Sequence, residues 1–235
     1  MPSILLLDLD HTLYPSTAPT LTAVDARITT FIETRLGLSP EDADLLRRTL
    51  CREHGTTLRG LELLHGVSRS EYTDFIQDLG DHLMPTPDPE VRNWLIATAA
   101  HTPTYIFTNA RRDWADRCLK HIGIHDLVHG HDGPDGRGAR GDAGFRVFSG
   151  IFDIDFMEWE GKPNRAAYAK VEEHVFARHP EESTLVFADD RLENLVTARM
   201  RGWRTVWVRP HDAPAGLGQG HHIVDTIIDL DVEAL

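Results

Sequence analysis

Four short apolar runs constrain this chain more than any other feature. They are Ile4-Leu5-Leu6-Leu7, Thr104-Tyr105-Ile106-Phe107, Thr184-Leu185-Val186-Phe187 and Thr205-Val206-Trp207-Val208. None alternates apolar with polar, so each predicts a strand covered on both faces, as in a parallel sheet sandwiched by helices. The sequence between the later runs has helical character. Arg112 to His121 sets Trp114, Cys118 and Leu119 on one face, Asn164 to Phe176 predicts a second helix, and Glu193 to Met200 a third stopped by Gly202. Strand and helix alternating with short links predict an α/β, doubly wound, mostly parallel Rossmann-like sheet.

The stretch between the first two runs is too long for a simple crossover. Leu21, Val24, Ile28, Ile32 and Leu36 recur at intervals of three and four, the stripe of an amphipathic helix. Ser39-Pro40-Glu41-Asp42 predicts a second helix start, and Ser68 with Glu71 a third, through a capping box and a helix running to Leu79. The expected organisation is an α/β core at 1–15 and 95–235, an inserted all-α cap at 16–94, and a Gly-rich loop at 130–149 within the core.

Charge narrows the partners. The net charge of −13 speaks against nucleic-acid backbones and anionic membrane surfaces, although a cation could still bring in a phosphorylated metabolite. No apolar stretch approaches the roughly 18 residues of a membrane span, and the first residues lack the basic start of a signal peptide. Two cysteines, Cys51 and Cys118, point to a reducing cytoplasm rather than a disulfide framework. Fourteen histidines raise the question of a transition metal. His221-His222 have no zinc-site spacing, and His121, His125, His129 and His131 are expected to be unmetallated. The five tryptophans, Trp94, Trp114, Trp159, Trp203 and Trp207, are expected in the core or at the cap interface. Oligomeric state leaves no trace in the sequence.

Chemistry is expected where the strands end, because open α/β sheets bind ligands outside the carboxyl ends of their strands. Asp8-Leu9-Asp10 follows the first run directly. Asp-x-Asp recurs at Asp42/Asp44, Asp153/Asp155 and Asp229/Asp231, so position rather than spacing singles out the first pair, and a turn cap remains open. Asp189-Asp190 ends the third run. Adjacent carboxylates near two more would repel strongly unless a hard cation such as Mg²⁺ sits among them, with Asn194 orienting them, or unless they cap the next helix. Thr108-Asn109 ends the second run at a helix start, a place suited to an anion or to a simple cap. Lys162 is either solvated surface or the cation that bridges a carboxylate and a phosphate.

Taken together, Asp-x-Asp, Thr-Asn, Lys and Asp-Asp in that order resemble the haloacid-dehalogenase-like hydrolase superfamily over essentially the whole chain. Asp8-Leu9-Asp10-His11-Thr12-Leu13-Tyr14-Pro15, His54 to Leu61, Phe107-Thr108-Asn109-Ala110 and Phe187-Ala188-Asp189-Asp190 look like its pyrimidine 5′-nucleotidase group. The resemblance implies a Mg²⁺-dependent phosphatase for a small phosphorylated metabolite. Asp8 would be the nucleophile, Asp10 the acid and base, and Thr108, Asn109 and Lys162 would neutralise the phosphoryl group. Asp8, Asp10, Asp189 and Asp190 would hold the metal, Asp190 directly or through water. An acid at Asp10 favours phosphoryl transfer over dehalogenation. Thr56 and Arg59 could face substrate from the cap or serve helix packing. A sugar phosphate, phosphoglycolate or an inactive phosphate-binding relative remain the alternatives.

Overall fold

The computed structural model describes residues 3–128, 147–181 and 184–235. These residues form two compact units, one of residues 1–17 and 86–235, the other of 18–85.

In the first unit, β1 (Ser3–Leu7), β2 (Thr104–Phe107), β3 (Phe148–Phe152), β4 (Thr184–Asp189), β5 (Arg204–Val208) and β6 (His222–Val224) form one sheet in the order β3-β2-β1-β4-β5-β6. Every pairing is parallel. The sheet is therefore the α/β Rossmann-like one that the apolar runs predict. From β1 the chain winds outward to β2 and β3, then returns to place β4 on the other side of β1. The strand order thus reverses between β1 and β4, and it is beyond the carboxyl ends of strands at such a point that open α/β sheets bind ligands.

Helices α5 (Pro89–Ala99), α6 (Arg112–His121), α7 (Arg165–Arg178) and α8 (Leu192–Met200) belong to the same unit. One core cluster gathers Ile4, Leu6, Tyr105, Phe107, Phe187 and Trp203 from the sheet side with Tyr168, Val171, Leu195 and Ala198 from α7 and α8. Burying each such side chain is worth about 1.5–3 kcal/mol, which is why strands without a polar face lie in the interior. Trp114 and Trp207 are also buried, whereas Trp94 is half-buried and donates its indole N–H to the Leu230 carbonyl at 3.0 Å.

The second unit contains α1 (Thr20–Leu36), α2 (Pro40–His54), α3 (Thr57–His65) and α4 (Arg69–Gln77), and no strand among its residues. Ser39 caps α2 by accepting the Asp42 N–H at 3.1 Å, with Pro40 in the first turn, as the sequence predicts. Gly60 lets α3 lie close on α2, since a Cβ there would sit 2.7 Å from Leu50 Cδ2.

Several expectations need correction. Residues 86–94 lie with the first unit, because Asp88 caps α5 and that helix runs on without a break to residue 99, so the division falls after residue 85 rather than 94. Ser68 makes no capping box. Its hydroxyl meets the Ser70 hydroxyl at 2.9 Å, and α4 ends at Gln77. Most of the Gly-rich segment 130–149 lies outside the described residues, but Val147 and Phe148 at its end are buried and Phe148 opens β3. That strand escapes prediction because Ser149 and Gly150 interrupt it. Gly150 packs on the Tyr105 ring at a register shift, so pairing rather than pattern makes it a strand. The exposed His222 and Ile223 of β6 form a strand for the same reason. Among the described residues no helix is long and apolar enough to cross a membrane.

Candidate active site

Asp8 is the first residue beyond β1, and its N–H continues the ladder to the Ala188 carbonyl of β4 at 2.9 Å. Asp189 is the last residue of β4 and Asp190 follows it. The register of β1 against β4, with Leu7 opposite Ala188, thereby brings carboxylates distant in sequence to one crevice. One carboxylate oxygen each from Asp8, Asp189 and Asp190 lie within 4.8 Å of one another.

Lys162 is the counterweight. Its ammonium is buried and uses all three protons, on Asp8 Oδ1 at 2.8 Å, Asp189 Oδ2 at 2.8 Å and the Phe107 carbonyl at 2.7 Å. The rings of Phe107 and Phe187 each stand 5.0 Å from it. Burial pulls the ammonium toward neutrality, but Asp189 and Asp8 override this and raise its pKa, so Lys162 stays charged.

Three carboxylates against one ammonium leave two negative charges in excess. Burial raises the pKa of Asp8 well above the usual carboxylate range, and Asp189, Asp190 and Asp10 add to the rise against the pull of Lys162. Burial likewise raises Asp190, with Asp189 adding to it. A hard divalent cation held by oxygen ligands removes this penalty, so the donor set fits Mg²⁺.

Asn194, on the first turn of α8, donates its amide to Asp189 at 3.0 and 2.9 Å, as expected of an orienting residue. The Arg191 N–H adds a third bond at 2.8 Å. Thr108 is buried, and its hydroxyl accepts the Ala110 N–H at 3.0 Å, closing the turn after β2. Asn109 does something its sequence position does not disclose. Its side-chain amide donates to the Lys162 carbonyl and accepts the Lys162 N–H, both at 2.8 Å, a two-point clamp on the lysine backbone. Gly161 is required for that approach, since a Cβ there would lie 2.6 Å from Asn109 Oδ1 and from Ile154 Cδ1.

Asp10 is half-buried one turn beyond Asp8 and is not among the clustered carboxylates. Burial raises its pKa, while the hydrogen bond from Tyr14 lowers it in part. His11 adopts a left-handed backbone, with φ of 59°, and sets Nδ1 3.7 Å from Asp190 Oδ2. Sequence reasoning assigns no role to His11 or Tyr14, although both lie inside the quoted motif. A cavity of about 610 Å³ flanks the same loop, lined in part by His11, Tyr14, Val91, Arg209 and Ile227.

The remaining Asp-x-Asp pairs are structural. Asp44 pairs with Arg47 and Arg48, Asp153 with Arg112, and Asp229 accepts the Thr226 N–H. His125 lies 4.0 Å from Asp116, while His129 and His131 fall outside the described residues. In the second unit, the Thr56 hydroxyl caps α3 by accepting the Arg59 N–H at 3.2 Å, so both residues have a local structural task.

Comparison with known proteins follows this geometry. No protein-family model matches the chain. Phosphate metabolism protein 8 of Saccharomyces cerevisiae is 28% identical over 136 residues, 54% of this chain and 42% of the yeast protein, so the chain spans less than half of that relative. A HAD phosphatase from Thermococcus onnurineus superposes with a TM-score of 0.59 at 14% identity, covering 97% of this chain and 95% of that one. The putative HAD-hydrolase YfnB from Bacillus subtilis, bound to magnesium, gives 0.58 at 15% identity, covering 97% and 96%. The L-2-haloacid dehalogenase of Xanthobacter autotrophicus, with chloropropionic acid covalently bound, gives 0.54 at 16% identity, again covering 97% and 96%. The chain therefore has the fold of haloacid-dehalogenase-like hydrolases, a fold shared by a phosphatase and a dehalogenase.

Proposed function

We propose that this chain is a divalent-metal-dependent phosphomonoesterase of the haloacid-dehalogenase-like superfamily that works through an aspartyl-phosphate on Asp8. The observation that carries the reading is the cluster of Asp8, Asp189 and Asp190 bridged by buried Lys162, with a separate protonatable acid at Asp10.

Asp8, Asp189 and Asp190 would hold Mg²⁺, with the Asp10 carbonyl completing the set. The ion supplies charge neutralisation at the phosphate and keeps the carboxylates ionised. Lys162 holds Asp8 Oδ1, which leaves Oδ2 to attack phosphorus. As the Oδ2–P bond forms, the ester P–O bond breaks and Asp10 gives its proton to the departing oxygen. Asp10, now a carboxylate, takes a proton from water, whose oxygen attacks the same phosphorus. The Asp8–P bond breaks, and both residues return to their starting state with inorganic phosphate released. Thr108, the Asn109 N–H and the ammonium of Lys162 would face the negative charge on the phosphoryl oxygens.

An acid at Asp10 supports phosphorus over carbon as the electrophile, because a departing alkoxide needs a proton and a departing halide does not. The motifs at 8–15, 54–61, 107–110 and 187–190 support a pyrimidine nucleoside 5′-monophosphate as substrate, with Thr56 and Arg59 on the base or sugar side. The test is phosphate release from a panel of nucleoside monophosphates, sugar phosphates and phosphoglycolate, with Mg²⁺ and with chelator. Turnover greatest for pyrimidine nucleotides and abolished by chelator is expected. Equal turnover in chelator, or none with any ester, overturns the reading, and preference for a sugar phosphate or phosphoglycolate overturns the nucleotide assignment alone.

A further inference from the structure

Asp10 is the one acid of the site that changes its protonation state twice per cycle, and a tyrosine four residues on grips its carboxyl. Tyr14 is buried, and its hydroxyl donates to Asp10 Oδ1 at 2.5 Å. The phenol also stands against the edge of the His11 ring, with centroids 6.0 Å apart, which closes the loop upon itself. We propose, on the basis of the phosphatase reading above, that Tyr14 is a positioning residue that assigns the transferable proton of Asp10 to Oδ2.

A protonated carboxyl has one O–H and one carbonyl-type oxygen. An ionised carboxyl can only accept, so while Asp10 is a carboxylate the Tyr14 phenol donates to Oδ1, and the oxygen left open to gain a proton is Oδ2. Oδ1 therefore takes the carbonyl role and the proton resides on Oδ2. When the ester bond breaks, the Oδ2–H bond breaks and the leaving oxygen gains that proton. When water attacks, its proton returns to Oδ2. Tyr14 keeps its own hydrogen throughout. Without the phenol, the proton is divided between the two oxygens and the carboxyl is free to rotate, so a positioned acid becomes an unpositioned one.

Leaving-group chemistry separates this role from a merely structural one. An alkyl ester such as a nucleoside 5′-monophosphate expels a strongly basic alkoxide and depends on the acid, whereas p-nitrophenyl phosphate expels a phenolate stable without a proton. The value of kcat/KM reports the first phosphoryl transfer and so isolates the step. With Mg²⁺ present, Tyr14→Phe is expected to lower kcat/KM by about 10- to 100-fold for the alkyl ester, within the usual worth of a general acid, and by less than about 3-fold for p-nitrophenyl phosphate. In an Asp10→Asn background the same change should have no further selective effect. Equal losses on both esters, or none on either, would refute the positioning role while Asp8→Asn, inactive on both, upholds the phosphatase reading. A wild-type enzyme inactive on both esters sinks that reading and this inference with it. If Tyr14→Phe does not fold, Tyr14→Leu decides the matter. A selective loss on the alkyl ester supports a carboxyl oriented by its donor, and an unselective one overturns it.

Discussion

The crevice at the end of β1 and β4 and the helical unit of residues 18–85 solve different problems with similar residue types. In the crevice, Lys162, Asp8 and Asp189 are buried and joined by a shared ammonium, so each charge depends on its neighbours. In the helical unit, charged pairs such as Arg35–Glu71 and Arg48–Asp44 are half exposed. Pairs of that kind are worth about 0–1 kcal/mol, because water screens them and ordering two long side chains costs entropy. A charged residue in the first region is thus chemically committed, and in the second it is interchangeable. The contrast also explains why Thr56 and Arg59 resist assignment, since one caps a helix and the other lies in its first turn.

The largest test of this contrast is Asp8→Asn, which should reduce turnover by about 10⁴-fold or more, as removal of a nucleophile does. Phosphate release, read beside an unchanged circular dichroism spectrum, checks it, and retained activity would move the chemistry elsewhere. Next is Lys162→Met. Breaking a buried ion pair typically costs about 3–5 kcal/mol, so metal-free protein should unfold at markedly lower denaturant. A cost below about 1 kcal/mol would place Lys162 with the surface pairs of the helical unit. Mg²⁺ itself should stabilise the wild type by about 2.7 kcal/mol at one hundred times its Kd, seen as a rise in Tm. Asp190→Asn should diminish that rise, while Asp44→Asn should leave it intact.

Two smaller effects sharpen the other side. Gly60→Ala forces a methyl against Leu50 and should cost about 1–3 kcal/mol by overpacking, measured by chemical denaturation, while kcat on p-nitrophenyl phosphate stays within a few fold. Thr56→Ala removes a helix cap worth about 1 kcal/mol. A rise in KM for the nucleotide well beyond the rise for p-nitrophenyl phosphate would give Thr56 a substrate role in addition to its cap.

Much of the fold could be read from short-range pattern. Uninterrupted apolar runs predict β1, β2, β4 and β5, and the helices between them follow from stripes and caps such as Asn164, whose side chain accepts the Ala166 N–H at 3.0 Å. β3 and β6 were not legible, because Gly150 and the exposed His222 carry no strand signal and only neighbouring strands hold them there. At the site, strand-end position singled out Asp8 and Asp189, whereas Lys162, in a loop before a helix, was open to a surface role as well as a bridging one. The Asn109 clamp was hidden, because the resemblance assigns the Asn109 backbone amide to the phosphate, whereas the clamp is made by its side chain on the Lys162 backbone.

Local residue order alone determined which side chains stand at strand ends, because alternation, capping and turn chemistry act over a few residues. Whether those side chains meet was decided by the register of β1 on β4 and by the path that returns Lys162 beneath Asp8. Such contacts join residues far apart in the chain, and no local preference encodes a distance of that kind. Their energies arise only once water has been removed from the crevice, which is a property of the folded molecule and of no segment within it.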